Sequence, residues 1–210
     1  MKEGHRMEAR WADWAVRLNA IAQNGLLYSQ NPFDRERYNS LRTIAVEMME
    51  AHTGAEAAEI RDFFEREQGY ATPKVDVRAA VFREGALLFV KEPEDGLWSL
   101  PGGWADVGES PSEAVVREVF EEAGYTTRAA KLLAVYDRNK HAHPAMAQHA
   151  YKLFIRCELS NPEPAGVPEA EARFFEKDAI PVLSTMRVTA GQIARLFDHY
   201  RHPDWPADLD

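Results

Sequence analysis

The hydrophobic period of this chain changes once, at Thr72-Pro73, and that change limits the folds open to it. Before it the apolar residues recur at helical spacing. Trp11, Trp14, Ala15, Leu18, Ile21 and Ala22 form one stripe, and Gly25 stands where a helix cap belongs. Asn31-Pro32-Phe33-Asp34 predicts a second helix start, with an Asn cap, Pro at the first helical position and an acid in the first turn. Tyr38, Leu41, Ile44, Ala45, Met48 and Met49 carry that stripe to Gly54, and Ile60, Phe63 and Phe64 mark a third helix ending near Gly69. Such stripes usually pack on protein, in a core or against another subunit.

After Thr72-Pro73 the period is two. Val75, Val77, Ala79 and Val81 alternate with Asp76, Arg78 and Ala80. Further strands are predicted at 86–90, 98–100, 131–138, 149–159 and 172–175. Ser160 to Pro168 reads as a proline-rich loop, Thr189-Ala190-Gly191-Gln192 as a capping box opening a last helix with Ile193, Leu196 and Phe197, and the tail after Arg201 as irregular. The period alone gives a mixed α and β chain with a helical N-terminal third. It predicts a helical domain over 1–70 and a second domain over 71–210.

Composition narrows the function classes. A net charge of −9 argues against a surface that holds long nucleic acid. It leaves room for a small anionic substrate held through a metal ion. The single cysteine, Cys157, cannot form an internal disulfide and reads as a small strand side chain. Met1 to Arg10 is polar, without the apolar stretch of a leader, and no apolar run reaches membrane-spanning length. A cytoplasmic protein is expected.

The chemistry-bearing stretch is Gly102 to Tyr125. It places Gly103, Glu109, Arg117-Glu118, Glu121-Glu122 and Gly124 at fixed intervals. Ser110-Pro111-Ser112-Glu113 is a capping box with Pro at the first helical position, so a helix is predicted from there to Glu122, closing at Gly124. Glu118, Glu121 and Glu122 then share one helix face. Clustered carboxylates are hard oxygen donors that suit Mg²⁺ or Mn²⁺. Gly102-Gly103 lets the backbone come close where a side chain would collide. The plainer reading of such acids is a solvated helix face, which the offsets of Gly103 and Glu109 weigh against.

These residues match the Nudix box at all its fixed positions, and the chain is identified as resembling a Nudix hydrolase. Val119 fits the box's first aliphatic position, while Tyr125 stands where an aliphatic is usual, a departure that touches packing. The resemblance implies an α/β/α sandwich with a mixed sheet, here preceded by a small all-helical domain, an α+β chain overall. It implies that Glu118, Glu121 and Glu122 ligate the metal together with the Gly102 carbonyl. Glu109 and Arg117 would pin the loop to the helix, though a merely solvated pair would look the same in sequence. The reaction would be attack of water at phosphorus. The general base is either a box glutamate or a loop acid, Glu169 or Glu171, and both loop acids could equally be solvated.

The N-terminal residues Ile21 to Leu26, Tyr28-Ser29 and Pro32 to Tyr38 resemble the helical extension of a bacterial Nudix group. That group acts on nucleoside diphosphates linked to another moiety, CDP-choline- or ADP-ribose-like. A homodimer is expected from its apolar stripes. The segment Val135 to Pro144 looks like a substrate-facing loop, with Arg138, Lys140, His141 and His143 for phosphates and Tyr136 to stack on a base. Tyr28 and Arg37 are weaker candidates from the extension. The histidines read equally as a polar loop, and their spacing with Cys157 fits no standard zinc motif. Two other readings are RNA processing, at the 5′ end or as a nuclease, which the acidic charge disfavours, and a non-catalytic nucleotide-binding module, which would usually have lost box carboxylates.

Overall fold

The structure, a computed structural model, describes the backbone of residues 2–210 and the side chains of residues 11–210. The side chains of the polar opening Met1–Arg10 lie outside the described residues. The chain forms two compact units, Met1–Pro73 with Pro144–His149, and Lys74–His143 with Ala150–Asp210.

The first unit is helical: α1 spans Lys2–Tyr28, α2 Pro32–Thr53 and α3 Ala57–Arg66. The Asn31 side chain accepts the Phe33 N–H at the start of α2, and Gly54 closes that helix in the left-handed region. One expectation is corrected. Gly25 does not cap α1, which runs on to Tyr28. A Cβ at Gly25 would lie 2.3 Å from the Tyr38 ring, so glycine here makes room for an aromatic of α2. The end of α1 is satisfied by Arg35, which donates to the carbonyls of Leu26 and Ser29 at 2.8 and 3.1 Å. Ala15, Ala45, Val46, Met49, Ile60 and Phe64 form the core of this unit.

The second unit is built on a mixed sheet. Its strands are β1 (Lys74–Arg83), β2 (Ala86–Lys91), β3 (Trp98–Ser99), β4 (Thr127–Asp137), β5 (Ala150–Leu159), β6 (Ala172–Phe175) and β7 (Asp208–Leu209). The order is β3-β2-β1-β5-β4-β7, with β6 paired to β2. The pairs β1·β5 and β4·β7 are parallel, the others antiparallel. Helix α4 (Pro111–Ala123) covers one face and α5 (Ala190–Arg201) the other. Val77, Ala79, Val81, Leu88 and Val90 pack with Ala114, Val115, Val119 and Ala123 of α4. Ala80, Leu87, Phe89 and Phe154 pack with Ile193, Leu196 and Phe197 of α5. The unit is therefore an α/β/α sandwich. Its tail is not irregular throughout, since Asp208–Leu209 adds a strand beside Ala134 and Val135.

Candidate active site

Helix α4 sets out the acidic residues. The Ser110 side chain and Glu113 make the reciprocal capping box, and Gly124 ends the helix at φ 74°. Residues 169 and 170 close its C-terminus: Glu169 N–H donates to Glu121 O at 2.9 Å and Ala170 N–H to Glu122 O at 3.2 Å. One cleft of about 470 Å³ is lined by Lys91, Glu92, Glu122, Glu169 and Glu171.

Arg117 gathers three carboxylates. It grips Glu109 with two parallel bonds of 2.9 and 3.0 Å, and its remaining terminal nitrogen donates to Glu118 and Glu121 at 3.0 and 2.8 Å. Glu109 thus fastens the loop before α4 to the helix face, and hydrogen bonds from Arg117 hold its carboxyl below the usual range. Glu122 turns the other way, accepting the Gly102 N–H at 2.9 Å. Burial pushes the Glu122 carboxyl up to about 7, against the pull of the Gly102 amide and Arg78, and burial also raises Glu118.

The two glycines answer to different neighbours. Gly102 sits at φ 144°, where a Cβ would meet Val77 O of β1 at 2.0 Å; a Cβ on Gly103 would press on the Glu118 carboxylate at 2.9 Å. The segment lies along β1, whose Val77 and Ala79 amides bond Gly103 O and Pro101 O at 2.8 Å each.

As the side chains stand, no three acids or histidines among the described residues converge on one point. Arg117 holds two of the glutamates and Gly102 the third. The donor set nonetheless suits a hard divalent cation: three oxygen-only ligands within adjacent helical turns, two of them buried enough to have their charge disfavoured. Glu118 also adds repulsion to Glu122.

Of the loop acids, Glu171 pairs with Lys91 at 3.5 Å and with Arg173, while Glu169 is exposed at the rim. The 136–143 segment is less open than expected. Tyr136 is only 8% exposed, and its ring packs against His141 and Phe154 at 4.0 and 5.7 Å. Its hydroxyl donates to Asp208 at 2.8 Å, so no ring face is free for a base. Arg138 is buried and reaches Met186 O at 3.4 Å. His141 pairs with Asp210 at 2.9 Å, His143 bonds Thr185 O and Gln192, and Lys140 is exposed. In the helical unit, Tyr28 lines a separate hollow of about 600 Å³ and Arg37 pairs with Asp34 at 2.6 Å. Cys157 is buried, and burial pushes its thiol up to about 12.

Pattern reading missed a buried charge network. Asp76 and Arg78 of β1 and Lys152 of β5 lie on the α5 side of the sheet, with Asp76 and Lys152 in register. Arg78 grips Asp76 with two bonds of 2.9 Å, and Lys152 donates to Asp76 at 2.7 Å. Burial alone would raise Asp76, but the Arg78 and Lys152 charges outweigh it and hold it low; burial brings Lys152 down to about 8. Arg78 also reaches towards Glu92, 3.9 Å away. The available signal was a set of charged residues at alternate positions in strands otherwise apolar.

Comparison with known proteins agrees with this architecture. Residues 72–197 match the NUDIX domain model, and residues 9–64 match a UDP-X-like N-terminal oligomerisation domain. The chain therefore belongs to the NUDIX family and is a pyrophosphohydrolase of that family. A Bacillus subtilis (strain 168) protein with the provisional name ADP-ribose pyrophosphatase YjhB is 46% identical over 95% of this chain and 96% of its own length. The crystal structure of a UDP-X diphosphatase superposes with a TM-score of 0.61 at 31% identity, covering 97% of this chain and 99% of the other. An ADP-ribose pyrophosphatase from Streptococcus suis 89-1591 gives 0.60 at 41% identity over 66% of this chain and all of its own.

Proposed function

We propose that the chain cleaves the diphosphate of a nucleoside diphosphate linked to another moiety, CDP-choline- or ADP-ribose-like, to a nucleoside monophosphate and a phosphorylated product. The observation carrying this is the set Glu118, Glu121 and Glu122, presented on α4 beside the Gly102 main chain and a cleft that Glu122 lines. Names of relatives that specify ADP-ribose and UDP-X substrates support the class of linkage.

Glu118, Glu121, Glu122 and the Gly102 carbonyl would hold Mg²⁺ or Mn²⁺. Such an ion polarises phosphoryl oxygens and lowers the pKa of water. The chain's own part is positional. Arg117 and Glu109 fix the helix face, and the Gly102 amide directs the Glu122 carboxylate. Glu171, which lines the cleft, is the loop acid we assign to receive a proton from the attacking water; Glu169 and a box glutamate are the other candidates. Lys140 is the exposed cation of the 136–143 segment, and Arg138, His141 and His143 shape that segment beneath it. The protein works on a small nucleotide as a cytoplasmic homodimer, its helical unit supplying the dimer contact.

The test is turnover of a panel with Mg²⁺: CDP-choline, ADP-ribose, UDP-glucose, NADH, diadenosine polyphosphates and 5′-diphosphorylated RNA. One diphosphate-linked substrate is turned over rapidly, and Glu122→Gln loses that activity by a factor of about 10³ or more. No turnover of any, with nucleotide binding retained, would overturn the reading in favour of a binding module.

A further inference from the structure

Arg78 is 1% exposed and lies behind the cleft, 3.9 Å from the Glu92 carboxylate that lines it, and its bonds end on the strap that carries Gly102. Its guanidinium is fixed at one end by the two bonds to Asp76, which Lys152 reinforces. At the other end Nη1 donates to Leu100 O at 3.1 Å and lies 3.4 Å from the Ser99 hydroxyl.

The Leu100 carbonyl needs that donor. Leu100 is fully buried, and a buried carbonyl without a partner is costly. The Ser99 hydroxyl is 3.0 Å away and could serve, but it also lies 2.5 Å from the Glu92 carboxylate. A hydroxyl has one hydrogen, and the shorter, charge-assisted bond takes it. That leaves Leu100 O to Arg78. Pro101 has no N–H to donate, so it meets β1 only through its carbonyl. Two β1 amides hold Pro101 O and Gly103 O on the sheet side, while the Gly102 amide between them turns onto Glu122.

We infer that Arg78, anchored by Asp76, is a positioning residue for the metal site. It fixes the Leu100–Gly103 strap so that the Gly102 main chain and the Glu122 carboxylate meet in one geometry. A lysine at this position keeps the charge but has no planar fork, and it cannot grip Asp76 bidentately while reaching Leu100 O. The Arg78 charge also acts on Glu122 and Glu92, and lysine keeps that charge, so what the substitution removes reaches the cleft through main chain; it falls on metal affinity and kcat, and KM for the substrate is spared.

This rests on the metal reading above, and the experiment separates the two. Mn²⁺ binding is measured by electron paramagnetic resonance and calorimetry in wild type, Glu122→Gln and Arg78→Lys, with kcat and KM on the best substrate of the panel. Arg78→Lys weakens Mn²⁺ binding about tenfold or more and lowers kcat by a similar factor, with KM within about threefold. Tyr200→Ala removes a ring stacked on Phe82, near the end of β1 beyond the Val77 and Ala79 amides that bond the strap, and serves as a destabilised control. It loses thermal stability and keeps its Mn²⁺ affinity. If Arg78→Lys fails to fold, Asp76→Asn is read in the same way and shows a smaller loss of the same sign. Wild-type Mn²⁺ affinity and kcat in a folded Arg78→Lys, or in Asp76→Asn where that variant stands in, overturn the inference alone. If wild type binds no Mn²⁺, the metal reading and this inference fall together.

Discussion

Gln192 decides the charge of His143. Its Oε1 accepts the Thr189 N–H at 3.0 Å in the capping box of α5, so its amide hydrogens face the ring. His143 Nε2, 3.0 Å from that amide nitrogen, must therefore accept, and Nδ1 donates to Thr185 O at 2.7 Å. Both positions suit a neutral imidazole, and burial pushes the His143 pKa down to about 4. A folded value below the unfolded one, about 6.5, means that the native state binds fewer protons between them. The contribution of His143 to stability is complete above about pH 6.5 and is lost as pH falls through about 4. His143→Gln is neutral throughout and removes that part of the acid-side loss, on the order of 1 kcal/mol after discounting for partial exposure. Between pH 7.5 and pH 5 the wild type should lose roughly 2–4 °C more in Tm than the variant; equal losses would show that the ring protonates freely. At this scale the box acids were legible because helical spacing fixes which side chains share a face. Arg78 and Asp76 were not, because alternation in a strand is the same whether the second face meets water or a second helix. Tyr136 was read as open for a related reason: its ring packs on Phe154 and its hydroxyl bonds Asp208, both far away in sequence.

Elements were read well where their ends carry side-chain chemistry. The caps at Asn31, Ser110 and Thr189 all form, and the helices they open start within a residue of expectation. Gly25 misled because a glycine at the end of an apolar stripe signals either a cap or a close approach, and only the neighbouring helix tells which. That position yields a prediction whose sign propensity alone gets wrong. Alanine in place of an interior helical glycine should stabilise by about 1 kcal/mol. Here its Cβ would meet the Tyr38 ring at 2.3 Å, and overpacking costs roughly 1–3 kcal/mol. Gly25→Ala should therefore lower the stability of the helical unit in denaturant titration. Adding Tyr38→Ala should recover part of the loss, giving a coupling energy above about 0.5 kcal/mol in a double-mutant cycle. Additive effects would mean that the helices do not meet through this pair. The least legible element was β7, which has two residues and no period of its own, whereas β3, equally short, was found at 98–100.

The whole chain folds as two units, and charge and surface differ in what they explain. A net charge of −9 on a pyrophosphohydrolase leaves phosphate recognition to local positive charge, that of nearby cations and of the metal proposed above, because the general field repels an anion. No helix among the described residues is long and apolar enough to cross a membrane. Leu18, Ile21 and Met48 line an apolar hollow of about 380 Å³ shared by α1 and α2, and Ile21 is 53% exposed. We take this hollow as the face on which the proposed dimer docks. A second copy is the economical occupant, because the matching family model over 9–64 is described as an oligomerisation domain. Light scattering on the full chain should give twice the mass of one chain. Ile21→Glu buries an unpaired charge in any such contact but leaves helix propensity nearly unchanged. It should shift the protein towards monomer by at least tenfold in dissociation constant, with the far-ultraviolet circular dichroism intact. A wild-type monomer across the micromolar range would remove the dimer. A dimer equally tight in Ile21→Glu would move the interface off this face of α1 and α2.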